Sequence, residues 1–297
     1  MAAKIISGKD IAREIRDELN ERVAALAGDG LVPGLATVLV GENPASRLYV
    51  GMKNKAAAEA GIHSRQVTLS ESTSETELLG VIDDLNNDPQ IHGILVQLPL
   101  PRQIDESKVL LAIHPDKDVD GFHPVNVGRL ATGDPNVLAP CTPRGVIEML
   151  LRSGADPSGK HVVVVGRSNI VGKPMALLLL RKAAGGNATV TVAHSRTPDL
   201  GAITRTADIL VVAVGWPNTV TRDMVKQGVT VIDVGTNRVD DPTRPRGYRV
   251  VGDVDFEGVS QVASAITPVP GGVGPMTIAM LLANTVEAAI RLGKAGG

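Results

Sequence analysis

Apolar residues recur at helical spacing in Ile11, Ile15, Leu19, Val23 and Leu26, and after Pro33-Gly34 the pattern changes to a largely unbroken apolar run from Leu35 to Val40. Spacing of three to four marks one face of a helix, and a short continuous run bounded by a turn marks a buried strand. The segment therefore predicts helix, turn, strand. A second helix is predicted from about Ser46 to Ala60, stopped by Gly61, with a more polar strand from His63 to Leu69 behind it. Ser74 and Glu77 have the spacing of a capping box ahead of Leu78, Leu79, Ile82 and Leu85, and Gly93-Ile94-Leu95-Val96-Gln97 reads as another buried strand. Helix and strand alternate, which argues for a parallel sheet.

Residues 114–145 are rich in proline and glycine, show little periodicity and predict an inter-domain region. From Gly145 the chain turns helical again. Strands recur at His161 to Val165, Thr189 to Ala193, Ile209 to Val214 and Val229 to Val234, with helical segments between most of them, the pattern of a doubly wound sheet. The last predicted helix runs from Pro275 to about Leu292, after the turn Pro270-Gly271-Gly272-Val273-Gly274, and its local pattern does not say which half it packs against.

A length of 297 residues with 43% hydrophobic content supports two domains, each with its own core, and two domains provide a cleft. The formal net charge of −2 and the scattered basic residues point away from a nucleic-acid groove or a membrane surface and towards small-molecule partners. The single cysteine, Cys141, forms no internal disulfide and favours a reducing compartment. No continuous apolar run approaches the ~20 residues of a membrane span, and Met1-Ala2-Ala3-Lys4 lacks a signal peptide's apolar core. A cytoplasmic location is expected. The histidines show no metal spacing, and neither His194 nor Cys141 carries the signature of a catalytic group.

The run Val162-Val163-Val164-Val165-Gly166-Arg167-Ser168-Asn169-Ile170-Val171-Gly172-Lys173-Pro174 is a strand entering a glycine-bounded turn and then a helix, the arrangement that cradles dinucleotide phosphates. An ATPase loop needs four residues between its glycines and a hydroxyl after the lysine; here five intervene and Pro174 follows Lys173. The dinucleotide pattern has a second glycine where Ser168 stands, so the side chains of this turn are expected to touch the cofactor. An NAD site places an acid at the end of the next strand. Ala193-His194-Ser195-Arg196-Thr197 offers none, and Ser195 and Arg196 together with Arg167 favour NADP.

On the second helix Tyr49 and Lys53 are four apart and share a face. A ring beside an amine could stack on a flat substrate while the amine exchanges protons; a tyrosine packed on the stem of a surface lysine explains the pair as well. Gln97 ends a buried strand, where ligand crevices form in open α/β sheets, or it braces the turn Leu98-Pro99-Leu100-Pro101. Asp116, Asp118, Asp120 and Gly121 match the opening of a calcium loop, but Val127 stands where that loop needs Glu. Asp120 is left as a hydrogen-bond acceptor for a ligand or as a turn aspartate.

Six segments agree with one family: Ser46 to Lys53, Gln97 to Pro101, Lys117 to Gly121, Pro140-Cys141-Thr142-Pro143, Gly166 to Pro174, and Pro268 to Thr277. In this order, along nearly the whole chain, they resemble bifunctional methylenetetrahydrofolate dehydrogenase/methenyltetrahydrofolate cyclohydrolase. The resemblance implies an N-terminal α/β folate-binding catalytic domain of residues 1–140 plus 275–297, the last helix returning to it. It also implies a Rossmann-like NADP-binding domain of residues 141–274. It implies that Lys53 transfers protons in the cyclohydrolase step, that Gln97 positions it, that Tyr49 stacks on the folate and that Asp120 holds the pterin. Leu98, Pro270, Gly271 and Gly272 would contact the substrate, while Gly166, Arg167, Ser168, Ser195, Arg196 and the backbone at Thr236 would contact NADP. A homodimer acting on tetrahydrofolates is implied as well. The competing readings are an NADP dehydrogenase of a small acid and a non-catalytic dinucleotide sensor, and Tyr49, Lys53 and Gln97 discriminate against both. Gly215-Trp216-Pro217 departs from the family, which is associated with a polar or smaller residue between Gly and Pro.

Overall fold

The computed structural model describes residues 3–295. The chain divides into two compact units, one formed by the residues up to Ala12 with Thr142–Thr277, the other by Arg13–Cys141 with the residues from Ile278 onward. Of the described residues, 3–12 group with Thr142–Thr277 and not with the rest of the N-terminal half.

The first half runs β1 (Lys4–Ile5), α1 (Gly8–Gly28), β2 (Gly34–Val40), α2 (Pro44–Glu59), β3 (His63–Leu69), α3 (Glu75–Asn87) and β4 (Gly93–Val96). β2 is the centre of a three-stranded parallel sheet with β3 and β4 on its flanks. Its seven residues are all buried, which explains the unbroken apolar run, whereas β3 is an edge strand with alternating exposure. α2 begins two residues before the predicted start because Asn43 Oδ1 accepts the N–H groups of Ala45 and Ser46 and Pro44 occupies the first turn. α3 has the predicted capping box: Ser74 Oγ accepts from Glu77 N and the Glu77 carboxylate accepts from Ser74 N. Val38 and Ile94 meet Ile82 and Leu85 in the core of this unit, each worth roughly 1.5–3 kcal/mol when fully buried.

The chain continues through α4 (Glu106–Ala112), α5 (Pro124–Thr132) and α6 (Cys141–Ser153). The stretch read as an irregular inter-domain region therefore holds one helix and the start of another. His123 Nδ1 accepts Val125 N to cap α5, Pro124 sits in its first turn, and Gly133 closes it in the left-handed conformation at φ 76°. With Asn126 and Leu130 as its buried residues, α5 is too short to show a periodic apolar face.

The second half runs β5 (His161–Val165), α7 (Gly172–Leu180), β6 (Thr189–Ala193), α8 (Leu200–Thr204), β7 (Ile209–Val212), β8 (Thr230–Asp233), β9 (Asn237–Asp240), β10 (Tyr248–Val251), α9 (Phe256–Val259), β11 (Ala265–Ile266) and α10 (Val273–Ala295). Six strands pair in the order β1-β11-β8-β7-β5-β6, all parallel, while β9 and β10 form a separate antiparallel hairpin. Val163, Val165, Leu210, Val212, Val231 and Ile266 bury the sheet's centre. The two-residue strands β1 and β11 lie outside the sequence prediction, as does the hairpin.

α10 leaves the nucleotide-type unit after Thr277 and joins the N-terminal-half unit from Ile278. Residues Val273–Lys294 are long and apolar enough to cross a membrane by length and composition, although no continuous apolar run pointed there; 67% of the most apolar window is buried. The helix is a core element: wholly buried Asn284 donates Nδ2–H to Val119 O (2.7 Å) and Ala139 O (2.9 Å), and Thr285 Oγ1 returns to Leu281 O.

Candidate active site

Lys53 lies on the inner face of α2 with Ser46, Val50, Ala56 and Ala57, and only 9% of it is exposed. A lysine buried on an apolar face needs an acceptor. Gln97, immediately after β4, provides one: Lys53 Nζ donates to Gln97 Oε1 at 3.0 Å. The glutamine is itself held at both ends, its backbone N–H on Val38 O (2.8 Å) and its Nε2 on Leu98 O (2.7 Å). Gln97 therefore braces the turn through Leu98 and offers its oxygen to the lysine. Tyr49, one turn before Lys53, is 48% exposed, so its ring is available to a ligand.

Asp120 is brought to this group by an extension of the sheet. Ile94 pairs with Asp118 in a parallel bridge and donates its N–H to Lys117 O (2.8 Å), laying the segment 117–120 beside β4. The Lys117 ammonium donates to Asp88 O and Leu85 O at the end of α3. Asp118, buried, accepts Gly121 N, His123 N and Asn126 Nδ2, which makes it the turn aspartate of the motif and leaves Asp120 as the one that feels the charge of Lys53. Burial pushes the Asp120 carboxyl above the usual carboxylate range; the charge of Lys53 works against that shift, Asp118 adds to it, and a hydrogen bond from Cys141 opposes it. A carboxyl and an amine in one partly dry site can bind and exchange protons with a ring bearing N–H groups.

Cys141 thus belongs to the wall of the site, a role its lone occurrence did not suggest. Asn284 is a second residue that sequence reasoning missed. It ties Val119 and Ala139 together behind Asp120, and its one signal is an amide in the apolar run Leu281-Leu282-Ala283.

The nucleotide-type unit holds the other set of predicted residues. β5 runs into Gly166, whose φ of 129° only glycine adopts readily and whose Cβ would stand 2.2 Å from Ala213 O. Gly172 opens α7 equally close, with a Cβ position 2.3 Å from Gly166 O. Between them Ser168 Oγ accepts Val171 N and Gly172 N, and Arg167 and Ser168 are exposed. The turn after β6 is closed by Thr197 N on His194 O and Arg196 N on His194 Nδ1, which leaves Ser195 and Arg196 exposed with no acid at the strand end. Thr236 is exposed just past β8. A backbone that approaches so closely at two glycines, with Arg167, Ser195 and Arg196 exposed, fits a dinucleotide that carries an extra phosphate.

Pro270, Gly271 and Gly272 form the turn before α10, with Gly271 at φ 100°. This turn is held by the start of α1: Lys9 N donates to Gly271 O at 3.0 Å, and a Cβ on Gly8 would collide with Gly272 O. Pro270 and Asp233 also line a cavity of about 770 Å³ beside Tyr248 and Phe256. Trp216 is 74% exposed on the loop after β7.

Profiles of two tetrahydrofolate dehydrogenase/cyclohydrolase domains match this chain, the catalytic domain over residues 6–120 and the NAD(P)-binding domain over residues 140–292. Bifunctional protein FolD 1 of Myxococcus xanthus is 58% identical over 287 residues, covering 97% of this chain and 98% of that protein. Among solved structures, the bifunctional methylenetetrahydrofolate dehydrogenase/cyclohydrolase of Campylobacter jejuni is 50% identical with a TM-score of 0.92, covering 98% of this chain and 99% of that one. The enzyme of Trypanosoma brucei, solved with NADP cofactor and inhibitor, is 44% identical with a TM-score of 0.91 and covers 98% of both chains.

Proposed function

The chain belongs to the tetrahydrofolate dehydrogenase/cyclohydrolase family, and from that membership we propose that it oxidises methylenetetrahydrofolate with NADP and hydrolyses the methenyl product to 10-formyltetrahydrofolate, in one-carbon metabolism. NADP supplies the hydride acceptor when bound. The turn Gly166–Ser168 and the start of α7 would receive its pyrophosphate, Arg167, Ser195 and Arg196 would take the 2′-phosphate, and the backbone at Thr236 would meet the nicotinamide end. Loss of hydride from the methylene carbon is driven by the lone pairs of its two nitrogens and leaves an amidinium cation. No hydroxyl proton is removed, so this unit needs no catalytic base.

Hydrolysis of the cation is a proton problem. Water attacking the methenyl carbon must lose a proton, and the ring nitrogen that departs must gain one. Lys53 performs both transfers, with Gln97 holding Nζ in place, Asp120 fixing the pterin and Tyr49 stacked on it. Leu98 completes the substrate contacts of this unit. The observation that carries this reading is the 3.0 Å bond from buried Lys53 to Gln97, beside an acid that feels the lysine's charge. A coupled assay with methylenetetrahydrofolate and NADP tests it: NADPH appears first and methenyl absorbance is then lost, whereas NADPH without methenyl decay makes the chain a dehydrogenase alone.

The same resemblance supports a cytoplasmic homodimer with no nucleic-acid or membrane partner. A sedimentation mass near that of the 30.9 kDa single chain counts against the dimer.

A further inference from the structure

β7 and β8 are paired along their length, and the last backbone bond between them runs from Val234 N to Val212 O. Beyond it the two chain segments are joined by side chains. Asp253, wholly buried just after β10, accepts Val214 N (2.7 Å) and Gly215 N (2.9 Å) on Oδ2, both from the loop after β7. Its Oδ1 accepts Asn237 Nδ2 (2.7 Å) from the segment after β8. The Asp253 N–H donates to Asp233 Oδ1 (2.9 Å), and the Asp233 carboxyl also takes Gly235 N (2.9 Å) and Val254 N (3.0 Å). Two glycines make room for this pair: a Cβ on Gly235 would lie 2.2 Å from Asp253 Oδ1, and one on Gly252 would lie 1.8 Å from Asp233 Oδ2.

Two carboxyl groups buried side by side are a costly way to close a gap that apolar side chains would fill at lower cost. What such a satisfied network provides is a fixed backbone. Burial pushes the Asp233 carboxyl up to about 6, an indication of how dry the cluster is. In an open parallel sheet the ligand lies outside the carboxyl ends of the strands. The ends of β5 and β6 hold the residues suited to phosphate, which leaves the ends of β7 and β8 for the nicotinamide. Thr236 stands between Gly235 and Asn237, the two residues that the carboxyl pair restrains.

We propose that Asp253, through Val214, Gly215 and Asn237, is a positioning residue that sets the separation of the β7 and β8 loops around the nicotinamide end of NADP. This rests on the assignment of Thr236 to the cofactor. Its effect is on dehydrogenation, because methenyl hydrolysis is assigned to Lys53 and consumes no nucleotide.

Asn237→Asp tests it with little threat to the fold, since it puts a carboxylate opposite Asp253 Oδ1 and leaves the backbone bonds in place. The expected result is a rise of about tenfold in the KM for NADP, the usual scale for losing one charge-assisted hydrogen bond. Hydrolysis of supplied methenyltetrahydrofolate should stay within about twofold of the parent. In the double variant Asn237→Asp, Asp253→Asn, amide and carboxylate have changed places, and most of the NADP affinity should return. An unchanged KM in Asn237→Asp, a parallel fall in both reactions, or a double variant no better than the single one overturns the proposal. Absence of NADP-dependent oxidation in the parent protein overturns the cofactor reading instead, and the two failures are distinguishable.

Discussion

Lys53 and Gln97, 44 residues apart in sequence, meet through a single hydrogen bond in which the amine donates to an amide oxygen whose own nitrogen is tied to Leu98 O. The glutamine cannot swing away without breaking the bond to Leu98, so the direction of the lysine is set by the end of β4. Replacing Lys53 by Met keeps the length of the chain and removes the proton carrier. Cyclohydrolase turnover should fall by about two orders of magnitude or more, the usual loss for a general acid–base group, with dehydrogenase turnover falling much less. Methenyl absorbance should accumulate in a coupled reaction with NADP. Hydrolysis at the parent rate would remove Lys53 from the mechanism.

Arg167→Ala should raise the KM for NADP by about tenfold or more, the equivalent of one charge-assisted bond, and leave that for NAD nearly unchanged. The comparison isolates the 2′-phosphate, the one group by which the cofactors differ. Equal effects on both would put that phosphate at another part of the unit.

Asp120→Ala should weaken folate-dependent activity in both reactions, by about tenfold in kcat/KM, with NADP affinity unchanged. Separate titrations with folate and with NADP read the two terms. Loss of NADP affinity in the folded variant would detach Asp120 from the pterin.

The Asp233 carboxyl, raised by burial from 3.8 to about 6, gives a pH signature. Between those values the native protein keeps a proton that the unfolded chain has released, so this group's contribution is complete below about pH 4 and is lost as pH rises through about 6. The loss is about 3 kcal/mol. Urea unfolding of the parent and of Asp233→Asn at several pH values should show the parent's advantage shrinking across that window; a constant offset would mean that Asp233 does not titrate there.

Strands buried on both faces were legible because burial writes itself as a continuous run, as in Leu35–Val40 and Val162–Val165. The Ser74–Glu77 cap was legible because both partners are local. What stayed hidden depends on distant partners. β1 and β11 are two residues each and exist because Lys4 and Ile5 find Ala265 and Ile266. β9 is polar and half exposed, a strand by virtue of β10 alone. The site divides in the same way. Gly166 and Gly172 declare a turn by themselves, whereas Asp118 and Asp120 look alike until Asn126 and His123 claim one of them.

The pairing of β1 with β11 also fixes an order of events on the ribosome. β1 leaves the exit tunnel about 260 residues ahead of its partner β11, and the helix that completes the other unit's core emerges later still. Folding from the N-terminus as synthesis proceeds cannot finish either unit in turn. A nascent chain stalled before Ala265 carries an unpaired β1 and two unfinished cores, so the emergence of β11 and α10 is the point at which both units can close.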